Sequence, residues 1–197
     1  PEKFVTIVSN LETGIPLWIG YGRGEDTLAS WLATLSIEQK LAIRRCAMDM
    51  HAPFRKAVES DPDLKHVAIA HDPFHVMKRA GEALTELRRA TFFRAGAALR
   101  AIGRGARWLV LKPWEKTSDE QRATLRLLFS FNSKLARAYQ TIEELRTTLH
   151  APDDVAMADG LWRVLCRTRR RDNVPMRKLH ESLSKHMPGI LALGEHH

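Results

Sequence analysis

The 197-residue chain is short of several things, and each shortage narrows its class. It has only two cysteines, Cys46 and Cys166, far apart in sequence. Two such residues cannot make the disulfide framework of a small secreted domain, so they read as buried or incidental thiols of a reducing compartment. Long hydrophobic runs are missing too: none approaches the roughly 20 apolar residues that a membrane-spanning helix takes. The opening P-E-K-F-V-T-I-V-S-N is too short and too polar for a secretory signal, and with a start on Pro1 rather than Met a fragment of a longer protein is the expectation. Glycines 20, 22 and 24 alternate, but with neither the spacing of a dinucleotide fingerprint nor the lysine of a P-loop. Nucleotide binding through a glycine-rich loop is therefore not expected.

Acidic charge is scarce in one half only. The net charge is +8 with a pI near 9.9. Residues 1–75 carry 8 Lys and Arg against 10 Asp and Glu, whereas residues 76–185 carry 23 against 12. The excess positive charge lies wholly in the second half. That asymmetry points to a polyanion, with nucleic acid first and an anionic membrane surface second. A merely soluble basic helical surface is the competing explanation.

Along the chain, residues 4–9 are rich in β-formers, 10–14 carry turn chemistry, and Leu17–Tyr21 is a second short strand, which together predict a hairpin. Asp26 or Thr27 then caps a helix with apolar Leu28, Trp31, Leu32 and Leu35 at helical spacing. Ser36 to Gln39 starts another helix by a capping pattern. A strand over Arg44–Met48 ends on Asp49, Pro53 opens a helix to about Ser60, and His66–Ala70 forms the next strand. From Val76 the pattern turns helical. One long helix runs to Ile102, a compact apolar run covers 107–112, and helices follow near 118–130, 133–149, 153–168 and 175–192. The class is α/β: a small mixed layer over 1–78, then an all-helical basic region over 79–197.

Three sets of residues carry chemistry. Asp49 and Asp72 each close an apolar run, and strand-end carboxylates at a sheet's C-terminal edge are how α/β folds deliver acids to a site. Phosphodiester chemistry commonly uses such carboxylates to hold divalent cations, and hard oxygen ligands suit Mg²⁺ or Mn²⁺. Asp72 also opens a D-x-x-H element ending at His75. With His71 it reads H-D-x-x-H, but Pro73 interrupts any helical metal face. A structural role is expected instead, with Asp72 capping the next helix and His75 hydrogen-bonded in the junction. Third, Arg163, Arg167, Arg169, Arg170, Arg171, Arg177 and Lys178 form a dense basic run suited to phosphate contact, although solvated helix ends are also Arg-rich. The five tryptophans, Trp31, Trp108 and Trp162 among them, fall at core-like spacings and read as packing groups.

The order of segments carries a resemblance. V-T-I-V-S-N-L-E-T-G-I-P-L-W-I-G-Y-G-R-G-E-D-T-L (5–28), C-A-M-D-M-H-A-P-F (46–54), H-D-P-F-H-V-M-K (71–78), R-W-L-V-L-K (107–112), L-A-R-A-Y-Q (135–140) and M-R-K-L-H-E-S-L-S-K-H-M-P-G-I-L-A (176–192) resemble, in order, the ISL-type DDE transposases of bacterial insertion sequences. The resemblance implies an RNase H-like core, here an incomplete mixed sheet, followed by a helical insertion. It also implies Mg²⁺- or Mn²⁺-dependent cleavage of DNA and strand transfer at insertion-sequence ends. By motif match Asp49 is the second acid of the Asp-Asp-Glu triad and a metal ligand, while Asp72 and His75 support the site. The family's first aspartate matches a strand upstream of this sequence. Its glutamate matches an N-G-x-x-E-G-x-N element downstream, to which Glu195 does not belong. The expectation is a transposase fragment, inactive as it stands, or else a non-catalytic DNA-binding or assembly module derived from one. The partners implied are DNA and either another copy of the chain or flanking segments that complete the sheet; no membrane partner is expected. The implied location is the bacterial cytoplasm, at the nucleoid.

Overall fold

Asn10 organises the first turn. Its side-chain oxygen accepts the N–H groups of Glu12 and Thr13 at 2.8 and 2.9 Å, and Gly14 takes the left-handed φ of +70° that closes the loop. In the computed structural model, which describes residues 3–93, 97–169 and 172–193, this turn joins β1 (Val5–Ser9) to β2 (Pro16–Tyr21). The two strands are antiparallel, with Ile7 opposite Ile19 and a register shift between Val8 and Ser9. Inward residues are few. Thr6 is buried and donates its hydroxyl to the Gly22 carbonyl at 2.7 Å, and Val8 packs on the core. Val5, Ile7, Leu17, Ile19 and Tyr21 are all exposed on the hairpin, Tyr21 at 79%.

The chain divides after Asp72 into two compact units. In the first, α1 (Glu25–Leu32) starts from Gly24 as N-cap, two or three residues earlier than the Asp26 or Thr27 cap expected from sequence. Glu25 and Asp26 instead fall inside the first turn, where carboxylates favour the positive end of the helix. Helix α2 (Ile37–Ala42) has the predicted capping box of Ser36 and Gln39. Strand β3 (Arg45–Met48), helix α3 (Ala52–Ser60) and strand β4 (Ala68–His71) make a β-α-β unit with β3 parallel to β4. Leu28 and Leu32 of α1, Ala57 and Val58 of α3, and Leu64 and Val67 ahead of β4 form the core; Cys46, Met48 and Ile69 lie against it. The strands thus make two two-stranded sheets, and among the described residues β1 pairs with β2 alone and β3 with β4 alone.

The second unit is built on α4 (Pro73–Phe93), whose buried Val76, Ala80, Ala83, Leu84 and Leu87 recur at helical spacing. Proline is tolerated at a helix's first position, so the helix begins at Pro73 rather than Val76. The single helix expected to Ile102 is not formed. Arg88, itself buried, donates to the carbonyl of Gly103, yet fifteen residues of continuous helix would separate them by about 22 Å. Helix α5 (Ala97–Gly105) therefore lies back along α4, and a Cβ on Gly103 would meet Phe92 at 2.7 Å. Two 3₁₀ turns (Leu109–Leu111 and Trp114–Lys116) lead to α6 (Asp119–Phe131), α7 (Ser133–Thr148), α8 (Asp154–Thr168) and α9 (Val174–Leu191). The turns are tied to α7 by Tyr139, which donates its hydroxyl to the Lys112 carbonyl at 2.9 Å. They are tied again by Glu143, which accepts the Trp114 N–H at 2.8 Å. Two tryptophans depart from the packing role expected of them. Trp108 and Trp162 are 70% and 68% exposed; Trp162 lies on the outer side of α8, whose inner stripe is Met157, Leu161, Val164 and Leu165. Among the described residues no helix is long and apolar enough to cross a membrane.

Helices α7 and α8 approach closely at Gly160. A Cβ there would lie 2.4 Å from Thr148 Oγ1 and 2.8 Å from its Cγ2, and that hydroxyl is already committed to the Glu144 carbonyl at 2.8 Å. At an open helical position Gly→Ala stabilises by about 1 kcal/mol. Here the overpacking term, about 1–3 kcal/mol, has the opposite sign and wins. Gly160→Ala is expected to lower the urea midpoint, and Thr148→Ala in the same chain to restore most of the loss. An unchanged midpoint in the single variant would rule out this close approach.

Candidate functional site

Two carboxylates leave one sheet edge together. In the β3–β4 pair Met48 lies opposite His71, and the Asp72 N–H extends the ladder by donating to the Met48 carbonyl at 3.1 Å. Asp49 and Asp72 are the next residues on adjacent parallel strands, so both stand at the C-terminal edge of the first unit. Asp49 is exposed and Asp72 half-buried. The chain turns sharply after Asp49: the His51 N–H donates to the Asp49 carbonyl at 2.6 Å, and the His51 ring meets Phe54 edge-on at 4.8 Å. Pro53 then sits in the first turn of α3. Both acids are thus followed at once by a helix, as the sequence pattern implied.

The histidines separate. His71 is a buried strand residue, 2% exposed, whereas His75 lies in the first turn of α4 with its ring edge-on to Phe74 at 5.4 Å. Among the described residues no cluster of three or more His, Cys, Asp or Glu has the geometry to hold a metal ion. The residues present fit part of a hard-cation site, since Asp49 and Asp72 supply the oxygen chemistry that Mg²⁺ and Mn²⁺ take.

The basic run is more committed to the protein than its sequence suggests. Arg163 pairs with Glu144 at 3.0 Å and with Asp159 at 3.3 Å, and Arg167 reaches the same Glu144 at 2.8 Å. Arg177 lies 3.8 Å from Glu181 and Lys178 lies 3.3 Å from Glu86. Arg169 is the C-cap of α8, its N–H donating to the Leu165 carbonyl at 3.1 Å. Arg170 and Arg171 lie outside the described residues. Sequence reasoning passed over Lys134 and Arg137 of α7, which line a pocket together with Arg167. The available signal was their i, i+3 spacing on one face of a predicted helix.

The model of the ISL3-type DDE family, described as transposase, matches residues 1–197. The chain belongs to the ISL3-type transposase family. It is similar to the transposase for insertion sequence element IS1001 of Bordetella parapertussis, at 26% identity over 148 residues. That match takes in 74% of this chain and 36% of the relative, so the chain spans about a third of the length of the curated transposase it matches. No solved structure matches. Within the transposase motif C-A-M-D-M, Cys46 is two residues before Met48 on the core-facing side of β3.

Burial pushes the Cys46 thiol up to about 11, while Cys166 is exposed. Only the thiolate reacts with iodoacetamide, so at about pH 8 roughly one Cys46 in a thousand is reactive. Alkylation near that pH is expected to modify Cys166 and spare Cys46. In a Cys166→Ser chain, labelling of Cys46 should climb only as the pH nears 11. Equal labelling rates for the two thiols at the lower pH would show that β3 is not packed as described.

Proposed function

We propose that this chain is part of the catalytic region of an insertion-sequence transposase, and that Asp49 is one of its metal-holding acids. The observation that carries the reading is the pairing of Asp49 with Asp72 at one C-terminal sheet edge, in a chain that belongs to a transposase family. By motif match, Asp72 and His75 are the supporting residues of the site. A bound Mg²⁺ or Mn²⁺ supplies polarisation of a phosphoryl oxygen and of the attacking hydroxyl. The protein's own part is to hold the carboxylates at a fixed register and to keep the chain turning away behind them.

The RNase H-like form of the core is part of the same proposal. Among the described residues, β1 and β3 each leave one edge without a strand partner, and exposed edges of this kind accept a further strand. A strand between them, carrying the triad's first acid, would join the two small sheets into one. By motif match the glutamate also comes from outside these residues, and one triad acid does not hold two cations. Cations of the second unit, Arg163, Arg167, Arg169, Arg170, Arg171, Arg177 and Lys178, are proposed to contact the DNA backbone. Several of them exchange an internal carboxylate for a phosphate when DNA arrives.

The test uses the complete transposase and labelled insertion-sequence ends, scoring Mg²⁺-dependent cleavage and strand transfer. Asp49→Asn is expected to reduce both by about a hundredfold or more, with duplex affinity unchanged. The 197-residue chain alone is expected to bind duplex DNA with a salt-dependent affinity and to leave it uncut. Full activity in the Asp49→Asn enzyme would remove Asp49 from the metal site.

A further inference from the structure

Within the second unit a pocket of about 280 Å³ opens where α7, α8 and α9 meet. The antiparallel packing of α7 on α8 sets its position. Thr148 faces Gly160, and Glu144 reaches Arg163 and Arg167, one and two turns further along α8. The first turns of α7 therefore lie beside the end of α8, and Lys134, Arg137 and Thr141 share the face that lines the cavity. Arg167 closes it from α8, and Asp172 and Asn173 from the start of α9.

Three cations converge there with one lining carboxylate, and they differ in how they are satisfied. Lys134 Nζ lies 3.1 Å from Asp172 Oδ2 and donates to the Asp172 carbonyl at 3.3 Å. Arg167 is held by Glu144 at 2.8 Å, a carboxylate it shares with Arg163. The Arg137 guanidinium makes no hydrogen bond or ion pair among the described residues. It is an exposed planar donor fork lining a concave, positively charged site, and such a fork can match a phosphate bidentately. The volume lies just under the range of whole small-molecule sites, which suits a phosphate and its sugar better than a complete nucleotide.

We propose that this pocket seats one backbone phosphate of bound DNA, with Arg137 as the direct contact and Lys134 and Arg167 as the charges around it. The proposal rests on the DNA reading above and sharpens it, because it adds Arg137 and Lys134, which lie outside the arginine-rich run, to Arg167 of that run and gives the three one phosphate.

The experiment measures the affinity of the 197-residue chain for a short duplex across a series of salt concentrations, for the wild type and three variants. Each phosphate contact contributes about 0.9 to the slope of log affinity against log salt. Arg137→Ala is expected to lower the slope by about that amount and weaken binding several-fold at low salt. Arg137→Lys keeps the slope, because the charge remains. Lys185→Ala, an exposed cation on α9 about 18 Å along the helix from Asn173, leaves it unchanged. A parallel titration with inorganic phosphate, followed by amide chemical shifts of α7, tests the pocket without DNA. A wild-type slope near zero overturns the DNA reading, and this proposal with it. A steep wild-type slope that Arg137→Ala leaves intact, or that Lys185→Ala lowers equally, overturns the pocket alone. Phosphate binding that depends on Arg137 beside an unaltered DNA slope makes the pocket a small-anion site and overturns its assignment to the DNA backbone.

Discussion

Parallel pairing of β3 with β4 is the constraint on which the proposed acid site depends. A parallel pair ends both strands at the same edge, whereas an antiparallel pair of the same residues would place the two acids at opposite ends. The register is held from below. Cys46, Met48 and Ile69 face the core of Leu28, Leu32, Val58 and Leu64, and a slip of one residue would turn those side chains to solvent. The position of Asp49 beside Asp72 is therefore a consequence of hydrophobic packing several residues away.

Charge has a different relation to structure in the second unit. The sequence concentrates cations there, but Glu86, Glu144 and Glu181 are placed so that four members of the basic run find an anion on the protein. Exposed pairs of this kind contribute roughly 0–1 kcal/mol each. At that strength they steer side chains without holding them against a phosphate. A polyanion can displace such partners at little cost, and a surface of this kind stays soluble in its absence. The Arg137 guanidinium, which has no ion pair among the described residues and lines the same pocket as Arg167, is the place where that balance is left open.

Much of this was legible in the sequence, for identifiable reasons. The hairpin was announced by Asn10 and Gly14, the start of α2 by Ser36 and Gln39, and the strands β3 and β4, though not their parallel pairing, by apolar runs that each end on an aspartate. The order of motifs carried the family. What was not legible depended on tertiary contact. Helical periodicity continues through 94–102, so nothing local marks the reversal that brings Gly103 against Arg88. The exposure of Trp162 follows from which face of α8 packs on α7, and its spacing alone does not encode that choice. The pairing of Arg163 and Arg167 with Glu144 joins residues nineteen and twenty-three positions apart, beyond the reach of any local rule.

The hairpin bears on the fold as a whole. A two-stranded hairpin in water is marginal by itself, and a hairpin covered on one face usually alternates apolar inside with polar outside. This one does not: Thr6 and Val8 face inward, while Val5, Ile7, Leu17 and Ile19 face out. Strands apolar on both faces belong to sheets with layers on both sides. Under the proposed RNase H-like reading, a further strand beside the hairpin would cover the edge of β1 that has no strand partner among the described residues, and a further layer would cover the apolar outer face. The same addition would lie along the open edge of β3, next to Asp49. Under the proposed RNase H-like reading, a strand that joined the two sheets would bring its own residues beside Asp49, so sheet completion and the proposed acid site would be coupled.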